Sequence, residues 1–172
     1  WTHMNAIVYH GNNEARETIR HFEFGFADAK GGGSAYKFHA LITSYEVLKQ
    51  DLSEFRKIKW RYMVVDEAHR LKNKDSALAA DLRTLKPRHC HLLSGTPLQN
   101  NTTELWALLH FLDPTRFPSQ PAFVAEYGHG VGHSLPAGRA SRPEQIEAMR
   151  EVMRPYVLRR LKSDVEKLAS LE

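Results

Sequence analysis

The stretch YMVVDEAHRLKN, residues 62–73, carries an apolar run straight into two adjacent carboxylates, Asp66 and Glu67, followed by His69 and a basic tail. Neighbouring carboxylates repel one another and lose hydration on burial unless a cation sits nearby. An Asp at the end of a buried strand, followed by Glu, is what a metal-assisted phosphoryl hydrolase needs. In that chemistry Asp66 holds Mg2+, through water, and the ion bridges the β- and γ-phosphates of a nucleotide. Glu67 orients or deprotonates the attacking water, and His69 makes a contact from this site to another element. Alternation along an extended chain sends Asp66 and Glu67 in different directions, so that they divide these roles. The plainer reading has Asp66 capping a helix and Glu67 and His69 as solvated turn residues.

A second polar cluster follows in LLSGTPLQNN, residues 92–101. Ser94 and Thr96 offer hydroxyls, Gly95 permits close backbone approach, and Pro97 fixes the chain as it leaves a strand. Gln99 and Asn100 add amides able to reach a ligand or a neighbouring domain. An ordinary strand-to-helix turn accounts for Asn101 as a cap but not for the whole run. A third pair of hydroxyls, Thr43 and Ser44, closes the segment KFHALITSY.

The elements that position these residues follow from apolar periodicity. Strands are expected at 4–10, 37–45, 61–69 and 89–97, the third buried on both faces because its apolar run is unbroken. Helices are expected from Asn12 or Asn13 to about Glu23, with Ala15, Ile19 and Phe22 on the apolar face, and then over 46–58 and 76–85. The clearest helix is 100–112, with an Asn101–Glu104 cap signature and a stripe of Leu105, Leu108, Leu109 and Leu112. Shorter helices are expected at 121–127 and 143–153. Strands alternating with helices predict an α/β fold, a parallel sheet with helices on both faces. Ligands bind such sheets beyond the carboxyl ends of the strands, where the three polar clusters fall.

Composition narrows the classes. The chain has 172 residues, 42% hydrophobic and 26% charged, as suits one domain or a piece of a larger one. No apolar run approaches the ~20 residues that span a bilayer, so no membrane partner is expected. The opening residues do not have the pattern of a signal peptide. One cysteine, Cys90, excludes an internal disulfide and a multi-cysteine zinc site. On a strand Cys90 faces away from His89 and His91, so a packed thiol outweighs a metal ligand. The net charge of +4 is compatible with a polyanionic partner but weak evidence for one. The glycine-rich stretches 27–35 and 128–143 are expected to be surface loops.

In order, VVDEAHRLKN and LLSGTPLQNNTTELWALLHFLDPTRF closely resemble the Swi/Snf-type chromatin-remodelling ATPases of helicase superfamily two. ALITSYEVL and MRPYVLRRLKSDVEKL agree, and MNAIVYHGNNEARETIRHFEF looks most like the chromodomain-helicase-DNA-binding subfamily. The resemblance implies a RecA-like (P-loop NTPase) three-layer α/β lobe, incomplete, over 1–114. It also implies a helical protrusion and linker over 115–172, leading toward a second RecA-like lobe. It implies an ATP hydrolase that tracks double-stranded DNA and remodels nucleosomes, with ATP and Mg2+ as cofactors and histones among its partners, in the nucleus. Asp66 and Glu67 become the Walker B pair and His69 the group that couples nucleotide state to the motor. Ser94, Gly95 and Thr96 match the motif linking hydrolysis to DNA binding, with Gln99 and Asn100 beside it. Thr43 and Ser44 match the motif whose hydroxyls approach DNA phosphates, and Arg70, Lys72 and Asn73 become backbone contacts near the same groove.

Two departures qualify this expectation. No G-x-x-x-x-G-K-[ST] occurs in the chain, and the second lobe with its arginine finger would follow Glu172. The chain is therefore expected to be a fragment that is inactive alone. Other readings are a Swi/Snf DNA-repair or transcription translocase, and a non-catalytic nucleic-acid-binding descendant. The intact Asp66–Glu67 pair counts against the last.

Overall fold

Four strands form in the expected apolar segments: β1 (Ala6–Tyr9), β2 (Ala40–Thr43), β3 (Tyr62–Val65) and β4 (His89–Leu92). Between and after them run α1 (Asn13–Ile19), α2 (Tyr45–Gln50), α3 (Leu52–Arg56), α4 (Ala77–Thr84), α5 (Thr102–Leu112), α6 (Gln120–Tyr127) and α7 (Pro143–Met153). The computed structural model describes residues 2–25, 35–71, 77–95, 102–127 and 143–158. The expected caps at Asp75 or Ser76 and at Asn101, and both glycine-rich loops from Phe26 and Gly128 onward, lie largely or wholly outside them.

Each strand is shorter than its apolar segment; after β2 and β3 the polar residues Ser44 and Asp66 accept local backbone hydrogen bonds instead. β1 and β2 pair in parallel, with Ala6 opposite Ala40 and Tyr9 opposite Thr43. β3 and β4 form a second pair. His89 N donates to Arg61 O and Leu93 N to Val65 O, and the constant offset shows that these strands also run in parallel. Among the described residues the strands thus form two pairs, not one sheet. β3 is not buried on both faces: Tyr62 and Val64 are exposed, since no described residue covers that side.

The chain divides into two compact units, residues 1–64 with 75–91 and residues 65–74 with 92–172. In the first, Ile7, Phe38 and Ile58 form a core flanked by Ile19, Phe24, Tyr36, Leu41 and Trp60. Asn12 caps α1 by accepting from Ala15 N at 2.9 Å. The expected apolar face of α1 forms only at Ile19, which packs against that core, for Ala15 and Phe22 are exposed. After Ile19 the helix widens into a π-turn, Arg20–Phe24. The wider turn rotates Phe22 outward and brings Phe24 to 5.4 Å from the rings of Tyr9 and Phe38.

The rest of the inward face of α1 is ionic. Arg16 Nε donates to Asp51 Oδ2 at 2.7 Å, Arg20 to the same oxygen at 3.0 Å, and the buried Tyr9 hydroxyl at 2.5 Å. Arg20 also donates to the Tyr9 hydroxyl. Burial followed by the hydrogen bond to Asp51 raises the pKa of Tyr9. Asp51 lies between α2 and α3, so this cluster ties α1 and β1 to the end of α2.

In the second unit α5 is the centre. Leu105, Leu108 and Leu109 are buried as expected, and so are Trp106, Ala107 and Phe111. Leu112 is half-buried, so the helix is enclosed on nearly every side, beyond the single stripe expected. Phe117, Phe123, Tyr127 and Met149 complete its core. The Tyr156 hydroxyl donates to Asp113 Oδ2 at 2.8 Å. That bond and the Arg116 backbone N–H, the stronger influence, hold the Asp113 carboxyl below its ordinary pKa.

Candidate active site

The end of β3 sets the geometry of the acidic pair. Leu93 N donates to Val65 O at 2.8 Å, and Leu93 O accepts from Ala68 N at 2.8 Å. In a regular parallel ladder the Leu93 carbonyl would accept from Glu67, two residues beyond Val65. One extra residue has been admitted, and it is Glu67, which adopts the left-handed φ of 49°. Its N–H turns to Asp66 Oδ1 at 2.8 Å. The turn is therefore a one-residue bulge.

The bulge replaces simple alternation as the reason the two carboxylates are available. Val65 is buried, and strict alternation would send Glu67 to the same side. Instead its side chain is 59% exposed, and Asp66 is exposed beside it. A left-handed glutamate costs about 1–2 kcal/mol, offset by the bonds at Ala68 and Asp66. Ala68 and Leu71 are buried, and the 3-10 turn Ala68–Leu71 packs against α5.

His69 Nδ1 lies 2.9 Å from Glu67 Oε2, off the direction of an aligned hydrogen bond. The contact shown for His69 is thus with Glu67, within the site. Arg70 N donates to Glu67 O at 3.0 Å and its side chain is exposed. Ser94 and Gly95, also exposed, directly follow the Leu93 clamp. A Cβ added at Gly95 would meet nothing within 4 Å, so no described neighbour requires glycine there.

Thr43 and Ser44 belong to the first unit, and both hydroxyls have internal roles. Thr43 Oγ1 donates to Tyr9 O at 2.9 Å. Ser44 caps α2 by accepting from Val47 N at 3.3 Å. A hydroxyl that accepts can still donate its proton, so Ser44 suits a phosphate oxygen better than Thr43, whose proton is committed. Lys72, Asn73, Thr96, Gln99 and Asn100 lie outside the described residues. Sequence reasoning missed Ala68 and Leu93 because they act through backbone atoms. It missed Asp51 because its partners are 31 to 42 residues away.

The family described as SNF2-related domain matches residues 1–171. The chain belongs to the SNF2-related domain family. Within that family it is 44% identical over 169 residues to chromodomain-helicase-DNA-binding protein 7 of Homo sapiens, covering 97% of this chain and 5% of that protein. It is 46% identical to chromodomain-helicase-DNA-binding protein 8 of Danio rerio, covering 97% of this chain and 6% of that protein. The chain thus spans about one-twentieth of the length of these relatives. Its fold matches the Sulfolobus solfataricus SWI2/SNF2 ATPase core in complex with dsDNA, with a TM-score of 0.67 and 25% identity. That match covers 94% of this chain and 29% of the solved one. The α/β architecture is accordingly the RecA-like fold of an SNF2 ATPase core.

Proposed function

We propose that this chain supplies the hydrolytic carboxylates of an ATP-driven motor that moves on double-stranded DNA and remodels nucleosomes in the nucleus. The observation that carries this reading is the bulge at Glu67, which presents two carboxylates together at the end of a strand. The likeness to proteins named chromodomain-helicase-DNA-binding and to an ATPase core solved with dsDNA supports the DNA part of the proposal, and the nucleosome and nuclear parts rest on the resemblance to Swi/Snf-type chromatin remodellers.

Asp66 fits a hard divalent cation. Its carboxylate is exposed, and Oδ1 serves Glu67 N without exhausting its lone pairs. Among the described residues no three His, Cys, Asp or Glu side chains converge. Mg2+ is commonly held by one or two carboxylates, with waters and substrate phosphates completing its shell. Bound at Asp66, the ion would neutralise phosphate charge. Glu67 would orient water for attack on the γ-phosphorus and accept its proton, while ADP departs as the leaving group. His69, beside Glu67, would hold that carboxylate in place. No phosphate-cradling lysine motif occurs in the 172 residues, so tight nucleotide binding needs groups from elsewhere in the protein, and the chain alone is proposed to be inactive. Ser44, Arg70, Ser94 and Gly95 would meet the DNA backbone, a grip that reads no sequence. Thr43, Lys72, Asn73, Thr96, Gln99 and Asn100 remain part of the proposed DNA-binding and coupling set, as does docking of a second RecA-like lobe.

The test is Glu67→Gln in the full-length protein. Nucleotide binding should persist while DNA-stimulated hydrolysis falls by roughly 100-fold or more, the scale of a lost general base. Near-normal turnover would defeat the assignment.

A further inference from the structure

We propose that Ala68 is a positioning residue for Glu67, fixing the bulge that keeps the hydrolytic carboxylate out of the buried side of the sheet. The inference rests on the hydrolytic reading of Glu67. Ala68 is fully buried, with 0% exposure, and its N–H is held by Leu93 O at 2.8 Å. The same Leu93 donates to Val65 O, so one residue of β4's continuation grips both sides of the acidic pair. Between those two bonds the chain fits one residue too many. Glu67 absorbs the excess at φ 49°, and Asp66 Oδ1 takes the amide that the ladder no longer holds. Asp66 thereby has a second role, as acceptor for the bulge.

The anchor works because residue 68 is small. Its turn is packed against α5 with Ala68 and Leu71 both buried, so added side-chain volume at residue 68 would press on that packing and lift the turn. Lifting it breaks the Ala68–Leu93 bond and lets the chain return to regular pairing, with Glu67 turned toward the side of Val65. Loss of the methyl acts in the other direction, by loosening the turn. Either change moves the water-activating carboxylate and disturbs the bond from the Glu67 amide to Asp66 Oδ1, while the Leu93–Val65 bond still holds the backbone leading into Asp66.

The experiment uses the full-length protein as wild type, E67Q, A68V and A68G. DNA-stimulated ATP hydrolysis is measured across ATP concentrations, normalised to sites counted with a fluorescent ATP analogue. Amide exchange at residue 68 is followed in parallel. A68V should lower kcat roughly 10- to 100-fold, as displacement by about 1 Å can, with KM and analogue affinity unchanged. A68G should lower kcat less, also at unchanged KM, and speed exchange of the residue 68 amide. Should A68V fail to fold, A68G decides. Wild-type kcat in A68G, or a rise in KM matching any fall in kcat, overturns the positioning role while an inactive E67Q leaves the hydrolytic reading standing. Turnover retained in E67Q overturns both.

Discussion

Replacing Asp51 by alanine tests whether the ionic cluster beneath α1 holds the first unit together. Asp51 has a side chain only 11% exposed, and it receives hydrogen bonds from Tyr9, Arg16 and Arg20. Removing it leaves the Arg16 guanidinium, in a residue only 6% exposed, with the Gly11 carbonyl, and strips the buried Tyr9 hydroxyl of its acceptor. Truncating one partner of a buried ion pair costs about 3–5 kcal/mol, set against a total domain stability of roughly 5–15 kcal/mol. Asp51→Asn keeps an acceptor of the same shape and loses only the charge. It should cost about 1.5–3 kcal/mol, the worth of a hydrogen bond to a charged group. Urea unfolding followed by tryptophan fluorescence reads both values, since Trp60 stacks on Phe55 within the same unit.

Acid supplies the second half of this test. Burial raises the pKa of Asp51, but the hydrogen bonds from Arg16 and Tyr9 and the charges of both arginines outweigh it, so the folded value is lowered. A lowered carboxylate stabilises the fold fully above its unfolded value, about 3.9, and the contribution disappears as pH falls through the folded value below that. Wild type should therefore lose stability relative to Asp51→Ala below about pH 4, with the gap constant above about pH 6. A cost under about 1 kcal/mol in Asp51→Ala, or a gap that does not narrow in acid, would show the cluster to behave as an exposed ion pair. α2 begins at its Ser44 cap and ends at Asp51, so a verified cluster also explains how the helix behind Ser44 is held.

Two further predictions probe the fold around the site. Phe24→Ala should cost about 2 kcal/mol or more in urea unfolding, while Phe22→Ala, at 60% exposure, should stay within about 0.5 kcal/mol; equal costs would refute the π-turn. Burial pushes the Cys90 thiol up to about 11, so its alkylation at pH 8 should run roughly 100-fold slower than that of an exposed thiol, and fast labelling would refute the packed position.

All four strands were legible because each apolar run is bounded by turn or polar residues, and such runs need only local information. Their ends were not, because the terminal groups serve other purposes. Ser44 leaves β2 to cap α2, and Glu67 leaves the β3 ladder. The face of α1 was misread for a nonlocal reason. Its residues Ala15, Ile19 and Phe22 have helical spacing, but Asp51, 35 residues beyond Arg16, draws two arginines inward. A π-turn then shifts the register by which Phe22 would have followed. Periodicity assumes a constant turn and an apolar interior, and α1 departs from both.

The acidic pair shows the same limit at the site itself. Two adjacent carboxylates after an apolar strand were enough to propose a chemistry for them, because adjacent charges call for a cation. Alternation then offered a reason for their division of labour, and that reason does not hold: alternation would place Glu67 on the side of buried Val65. What exposes Glu67 is the Leu93 carbonyl choosing the amide of residue 68 over that of residue 67, a choice made between backbone groups 25 residues apart. Side-chain identity contributes only a permissive condition, the small Ala68 that can be wholly enclosed. The chemistry proposed for this site therefore rests on its side chains and its geometry on a backbone pairing, and a perturbation at Ala68 separates the two.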